Sequence, residues 1–144
     1  MGTLTMTKQE REQFLAGTHI GVLAVNGDDA PVVTPIWYSY EPGGDIVVTT
    51  ETSTRKTELL RRSGRATLCA QTEAPPYQYV VVEGDVAISD SVESAWRRDL
   101  ARRYLGDELG DVYADSTMEH ESSAVTVRLT PQKWRTVDYN KQFG

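Results

Sequence analysis

The strongest constraint on this fold is how little chain separates its β-prone runs. "HIGVLAV" (residues 19–25) is followed by "NGDD" (26–29), "PVVTPIWYSY" (31–40), "EPGGD" (41–45) and "DIVVTT" (45–50). A parallel partner would need a crossover of about a dozen residues or more, so these three runs must meander antiparallel. Asn26-Gly27 suits the positive φ of a hairpin turn. Pro35 has no N–H to give a ladder, so it marks an edge, a bulge or a bend.

The same reading continues along the chain. "RATLCAQ" (65–71) and "YQYVVVEGDVAIS" (77–89) flank the loop "TEAPP", and Gly84 inside the longer run suggests a bulge or a close approach. "SAVTVRLTP" (123–131) is a further strand, and "KWRTVDYN" (133–140) a last strand or extended tail. Three helices interrupt them. Thr7 and Glu10 form a capping box for Lys8 to Ala16, closed by Gly17. Ser53 or Thr54 caps a second helix that ends at Gly64 and buries Leu59 and Leu60. Asp90 and Glu93 frame another box, with Val92, Trp96, Leu100 and Tyr104 at helical spacing before Gly106. "GDELGDVYADSTMEHES" (106–122) reads as an acidic connector with one helical turn. Six or seven antiparallel strands with few helices suggest a barrel, because closure removes exposed edges. A length of 144 residues makes residues 1–144 one domain.

Composition narrows the chemistry. Cys69 is the only cysteine, so an internal disulfide and a Cys-rich zinc site are excluded, and the thiol reads as a small core group in a reducing cytoplasm. His19 and His120 lack any HxxxH or HExxH pairing, so no metal is expected. No GxSxG elbow, Walker loop or GxGxxG fingerprint occurs. A net charge of −6 disfavours general nucleic-acid binding. No run approaches the ~18 apolar residues of a membrane helix, and no signal pattern opens the chain. Gly2 permits an N-myristoylation reading that such starts rarely realise.

One junction stands out. In "TTETSTRKTELLRR" (49–62) a strand runs into a helix, and Arg55 and Lys56 fall in its first turn. That turn already carries partial positive charge, so two cations there cost a few tenths of a kcal/mol each unless an anion is bound. Thr49, Thr50, Ser53 and Thr54 crowd hydroxyls around it. A phosphate is the guest this chemistry suits best; the alternative is two exposed side chains paired with Glu51 or Glu58.

The run "VVTPIWYSYEPGGDIVVTTETSTRKTELLRRSGRATLCAQ", followed by "YVVVEGDVAISD", resembles the split β-barrel flavoproteins of the pyridoxamine-phosphate-oxidase-like group, within it the small flavin- or deazaflavin-dependent oxidoreductases. The resemblance covers residues 14–90 well and the last third loosely. It implies a mostly β, six- to seven-stranded antiparallel split barrel with peripheral helices, acting as a homodimer with cofactor sites at the subunit boundary. It implies FMN or coenzyme F420, with the phosphate against Arg55 and Lys56, aided by Thr49, Thr50 and Ser53, and the ring along Val33, Thr34 and Pro35. F420 is slightly favoured because Arg61, Arg62 and Arg65 offer a basic groove for its acidic tail. Trp96, Tyr79 and the tail "WRTVDYNKQF" are aromatic candidates for what the second subunit supplies, with Tyr79 also a candidate proton donor; Trp37 faces either protein or ligand, and the bland alternative for Trp96 is a core role on its helix's apolar stripe. The implied activity is hydride transfer to a small organic acceptor. Its alternatives are a non-catalytic flavin- or haem-binding protein, with His19 or His120 as axial ligand, and a pyridoxine-phosphate oxidase-like enzyme.

Overall fold

The computed structural model describes residues 3–143; Gly2, the acylation candidate, lies outside the described residues. The elements are α1 (Lys8–Ala16), β1 (Gly21–Val25), β2 (Val32–Ile36), β3 (Ser39–Tyr40), β4 (Ile46–Glu51), α2 (Arg55–Ser63), β5 (Arg65–Gln71), β6 (Gln78–Ser89), α3 (Ser94–Leu105), α4 (Asp107–Ser116), β7 (Ala124–Leu129) and β8 (Lys133–Asp138). Two 3-10 segments, Met118–Ser123 and Tyr139–Gln142, complete the order. No helix among the described residues is long and apolar enough to cross a membrane.

Every strand pairing is antiparallel, and the sheet runs β2-β1-β5-β6-β7-β4-β3 with β8 also on β6. β6 is shared. Its first part pairs with β5 and β8 and its last four residues with β7, so the sheet curls into two halves joined along one strand. Gly84 marks the handover. A Cβ there would lie 1.8 Å from the Thr130 carbonyl oxygen, because the link between β7 and β8 crosses directly over it. The Thr130 N–H reaches the Asp85 carbonyl and the Gln132 N–H the Glu83 carbonyl, so the crossing backbone is paired.

The inner face follows the strand alternation. Leu23, Val25, Ile46, Val48, Leu68, Val80, Val82, Val125, Val127 and Leu129 form one buried cluster, closed by Leu15 of α1 and Leu59 and Leu60 of α2. Trp134 of β8 packs edge-on against Tyr40, under the Arg11 guanidinium.

The architecture is the expected mostly β split barrel, with eight strands rather than six or seven. The run 31–40 divides into β2 and β3 because two aromatics leave the ladder: Trp37 stacks on Tyr104, and Tyr38, fully buried, donates its hydroxyl to the Leu15 carbonyl at 2.6 Å. β2 is an edge strand with Pro35 opposite Val22, as a strand lacking an N–H requires. The box at Asp90 and Glu93 does not form. Glu93 is the N-cap but makes no side-chain cap bond, and Asp90 accepts from Arg61 instead. The acidic connector is a ten-residue helix, α4, followed by a 3-10 turn.

Gly84→Ala is expected to destabilise the fold by about 3 kcal/mol, since backbone and not a flexible side chain opposes the new methyl. Urea unfolding followed by circular dichroism measures it as a fall in midpoint at unchanged slope.

Candidate functional site

Two features of the junction between β4 and α2 decide what it can hold. The first is a closed hydroxyl network. Thr57, fully buried, donates to the Glu51 carbonyl at 2.6 Å and lies 2.6 Å from the buried Thr50 hydroxyl. Thr54 is the N-cap: its oxygen accepts from the Thr57 N–H at 3.2 Å and its hydroxyl donates to the Glu51 carbonyl at 3.1 Å. Thr50 therefore faces the core, and its hydroxyl is spent inside the turn. Thr49 points the other way and donates to the Val125 carbonyl at 3.0 Å. Of the predicted hydroxyls, Ser53 alone is exposed at the helix start without a side-chain hydrogen bond among the described residues.

The second feature is the unequal state of the two cations. Arg55 is exposed and paired with Asp28 at 3.3 Å and Glu58 at 3.1 Å; Asp28 also holds Arg62. Glu51, the other expected partner, accepts from Ser123 instead. Exposed pairs of this kind contribute at most about 1 kcal/mol, so an incoming anion exchanges with them cheaply. Lys56 is half-buried and has no ion pair or hydrogen bond among the described residues, and burial holds its ammonium below the ordinary lysine range. A desolvated cation at a helix N-terminus, beside N–H groups with no intrahelical partner, is a fit for a phosphate. Arg61, Arg62 and Arg65, the expected basic groove, are exposed and pair with Asp90, Asp28 and Asp85, exposed pairs of the same kind as those of Arg55.

A cleft of about 340 Å³ opens on the outer face of the sheet, lined by Ile20, Pro35, Ile36, Trp37, Thr49, Leu100 and Tyr113. Its volume falls in the range of small-molecule sites. Trp37 is the centre of an aromatic group, parallel to Tyr104 at 5.0 Å and tilted against Tyr113 at 5.3 Å. The Tyr104 hydroxyl donates to the His19 carbonyl at 2.6 Å and accepts from the Tyr38 N–H, which locks the stack to β1 and the β2–β3 link. Tyr113 arrives on α4, which sequence patterning missed. The spacing of Leu109, Val112 and Tyr113, with Asp107 and Glu108 in the first turn, was the available sign.

α4 is held to α3 by charge and by close packing. Arg102 and Arg98 bind Asp111 and hold its carboxyl at about 2, while Arg97, buried, binds the Ala114 and Thr117 carbonyls and Glu121. Gly110 permits the crossing: a Cβ there would lie 2.6 Å from the Arg102 Cα.

The remaining candidates scatter. Val33, 57% exposed, and Pro35 share the outer face of β2, whereas Thr34 lies opposite Leu23 on the inner face. Tyr79 pairs with Gln71 and Val137 on β6, three strands from β2 and so about 14 Å from Pro35, outside the Trp37 cleft. Trp96 donates from Nε1 to Ser39 at 3.1 Å and lines a separate small pocket. Cys69 is half-buried on the outer face between Val22 and Val81, and burial pushes its thiol up. His19 stacks on Phe14 with Nε2 against the Phe14 carbonyl, burial holding its ring below the usual range, and His120 sits beside Glu119 on the 3-10 turn. No group of three or more His, Cys, Asp or Glu converges among the described residues.

The model of the pyridoxamine 5'-phosphate oxidase family matches residues 7–137. None of the curated proteins matches this chain. Among solved structures, a conserved hypothetical protein from Mycobacterium tuberculosis aligns at 22% identity and TM-score 0.78, over 100% of this chain and 92% of its own. An F420 reductase aligns at 21% identity and TM-score 0.70, over 86% and 94%. A FAD-binding protein from Mesorhizobium loti aligns at 19% and 0.65, over 92% and 93%. At these identities the likeness is one of fold.

Gly110→Ala should separate α4 from α3 and withdraw Tyr113 from Trp37. A loss of about 1–2 kcal/mol, with a weakened near-ultraviolet dichroism of the aromatic group, is expected; unchanged dichroism would show that α4 does not depend on the contact.

Proposed function

Because the chain belongs to the pyridoxamine 5'-phosphate oxidase family, we propose that it is an oxidoreductase that holds a flavin-type cofactor by its phosphate at the start of α2. The observation that carries this reading is Lys56: a half-buried lysine without a carboxylate, at a helix N-terminus, next to a strand that leads into an aromatic cleft. The related folds named for F420 and FAD support a flavin or deazaflavin over other phosphate esters. FMN and F420 are both candidates: the related folds include one named for F420 and one for FAD, and the arginines that favour F420 stand in exposed pairs that an acidic tail would have to displace.

When bound, the cofactor supplies hydride transfer. The chain's residues do the rest. Lys56, Ser53 and the first N–H groups of α2 bind the phosphate, with Arg55 recruited from its exposed pairs. The free edge of β2 would offer unpaired backbone polar groups to a bound ring. Trp37, Pro35 and Ile36 would exclude water from one wall, with Tyr113 packed against Trp37 on the same wall. The Tyr113 hydroxyl makes no hydrogen bond among the described residues, so it is the available proton donor on that wall, a role that the distance of Tyr79 denies to the latter within one subunit.

A second copy of the chain completes the site in this reading. The outer face of β2-β1-β5-β6-β8 presents Val33, Pro35, Val22, Ala24, Cys69, Val81 and Val137, with Glu83, Lys133 and Arg135 at its border. Such a contiguous apolar face marks an interface. Val81→Glu is expected to give a monomer by light scattering and to lose cofactor together with the dimer.

The direct test is titration of the purified protein with FMN, F420 and haem, followed by fluorescence or absorbance. Lys56→Ala should weaken the preferred cofactor by about 10- to 100-fold, the magnitude of a charge-assisted hydrogen bond, without loss of secondary structure. Burial lowers the Lys56 pKa, so wild-type affinity is full below that value and falls as pH rises through it, earlier than the ordinary 10.5. Unchanged affinity in the variant would refute the phosphate assignment.

A further inference from the structure

α3 crosses the outer face of β3, β4 and β7, and beyond it lies a second, smaller pocket of about 100 Å³, lined by Ser89, Ser91, Glu93, Trp96, Thr126 and Arg128. The register explains the grouping. Ser39, Val47, Arg128 and Ala87 form one lateral row, and Thr49, Thr126 and Ser89 the next. Two of the polar groups are occupied: the Trp96 Nε1 by Ser39, and the Thr126 hydroxyl by the Ser91 carbonyl at 2.7 Å. Arg128, Ser89 and Ser91 are exposed at the mouth of the pocket, and the Arg128 guanidinium and the two hydroxyls have no protein partner among the described residues. Arg128 differs here from every other arginine of the chain. Arg55, Arg61, Arg62, Arg65, Arg97, Arg98, Arg102 and Arg135 pair with carboxylates, Arg103 with carbonyls, and Arg11 lies over Trp134. Glu93 lines the same pocket and is not ion-paired with Arg128.

The pocket adjoins the aromatic cleft. Thr49 of the cleft and Thr126 of the pocket are register partners on adjacent strands, about 5 Å apart. Leu100 and Trp96 are one helical turn apart on α3, about 6 Å along its axis. A molecule with its apolar body against Trp37 therefore has a fork of donors within reach of its far end.

We propose that the pocket receives the carboxylate of the organic acceptor, and that Arg128 makes the site selective for acceptors bearing an anionic group about one helical turn from an apolar, planar body. The assignment rests on reading the Trp37 cleft as the cofactor and acceptor site. Arg128 offers a planar fork matched to a carboxylate, and Ser89 and Ser91 add neutral donors. Glu93 opposes the anion from the rim and weakens its binding.

The probe is cinnamate against its neutral counterpart, cinnamyl alcohol, titrated into the whole chain without cofactor and followed by the indole N–H resonances of Trp37 and Trp96. Cinnamate is expected to move both resonances and to bind about tenfold more tightly than the alcohol, which moves Trp37 alone. Arg128→Met should remove that difference, Arg128→Lys should restore part of it, and Glu93→Gln should tighten cinnamate a few-fold. Equal binding of the two probes, or an unchanged preference in Arg128→Met, overturns the proposal. So does an Arg128→Met protein that loses F420 affinity while keeping its cinnamate affinity, since the pocket would then serve the cofactor's acidic tail. The readout needs no cofactor, so a failure of flavin binding would refute the Lys56 assignment and leave this test intact.

Discussion

The close approach of two backbones at Gly84 is the constraint from which the rest of the architecture follows. β6 serves two half-sheets, and the segment joining β7 to β8 must change partners as it passes. It can do so only where β6 has no side chain, 1.8 Å being far inside any tolerable Cβ contact. Once the crossing is made, β7 carries β4 and β3 away from β8, and the sheet curls. The concave side is then deep enough for Leu15, Leu59 and Leu60 to enter from the helices. The convex side of β4 and β7 is left for α3, and through it for the cleft.

Charge is sorted on this frame in a way that hydrophobic patterning would not require. The protein has more acids than bases, and most of its arginines are tied to them. Three basic side chains stand without a partner among the described residues: Lys56, Arg128 and Lys133. Lys133 is exposed at the border of the apolar face. Lys56 is half-buried at the start of α2, and Arg128, exposed like Lys133, lies beside Trp96 and the Ser89 and Ser91 hydroxyls. In a chain of net charge −6, cations left unpaired at such places are conspicuous, because carboxylates to neutralise them are plentiful.

The parts of this fold that were legible from sequence are those set by local rules. The short links at 26–31 and 41–45 imposed the antiparallel meander, although neither Asn26 nor Gly27 takes the positive φ expected of a tight hairpin turn; of the edge, bulge or bend open to Pro35 the structure has the edge, and of the bulge or close approach open to Gly84 the close approach. What was not legible depends on long-range partners. Thr50 looked like an anion donor because its hydroxyl is one residue from Thr49; strand alternation instead turns it inward to Thr57, seven residues later. Asp90 looked like a helix cap until Arg61, 29 residues away, claimed it. α4 was hidden because its polar residues outnumber its apolar ones, and its partners lie on other elements: Arg97, Arg98 and Arg102 of α3, the close crossing at Gly110, and Trp37 beneath Tyr113.

The missed helix changes the chemistry that the cleft can support. Without α4, the Trp37 wall would face solvent, and the candidate proton donor would have to come from Tyr79, about three strand spacings away. With α4 in place, Tyr113 is brought to 5.3 Å from Trp37, and its hydroxyl makes no hydrogen bond among the described residues. The lining of the cleft contains no serine, cysteine, histidine or carboxylate, and its one aliphatic hydroxyl, Thr49, is donated to the Val125 carbonyl. Walls of that composition suit an apolar ring and leave one phenol to offer a proton, which fits the cofactor-dependent reading proposed above.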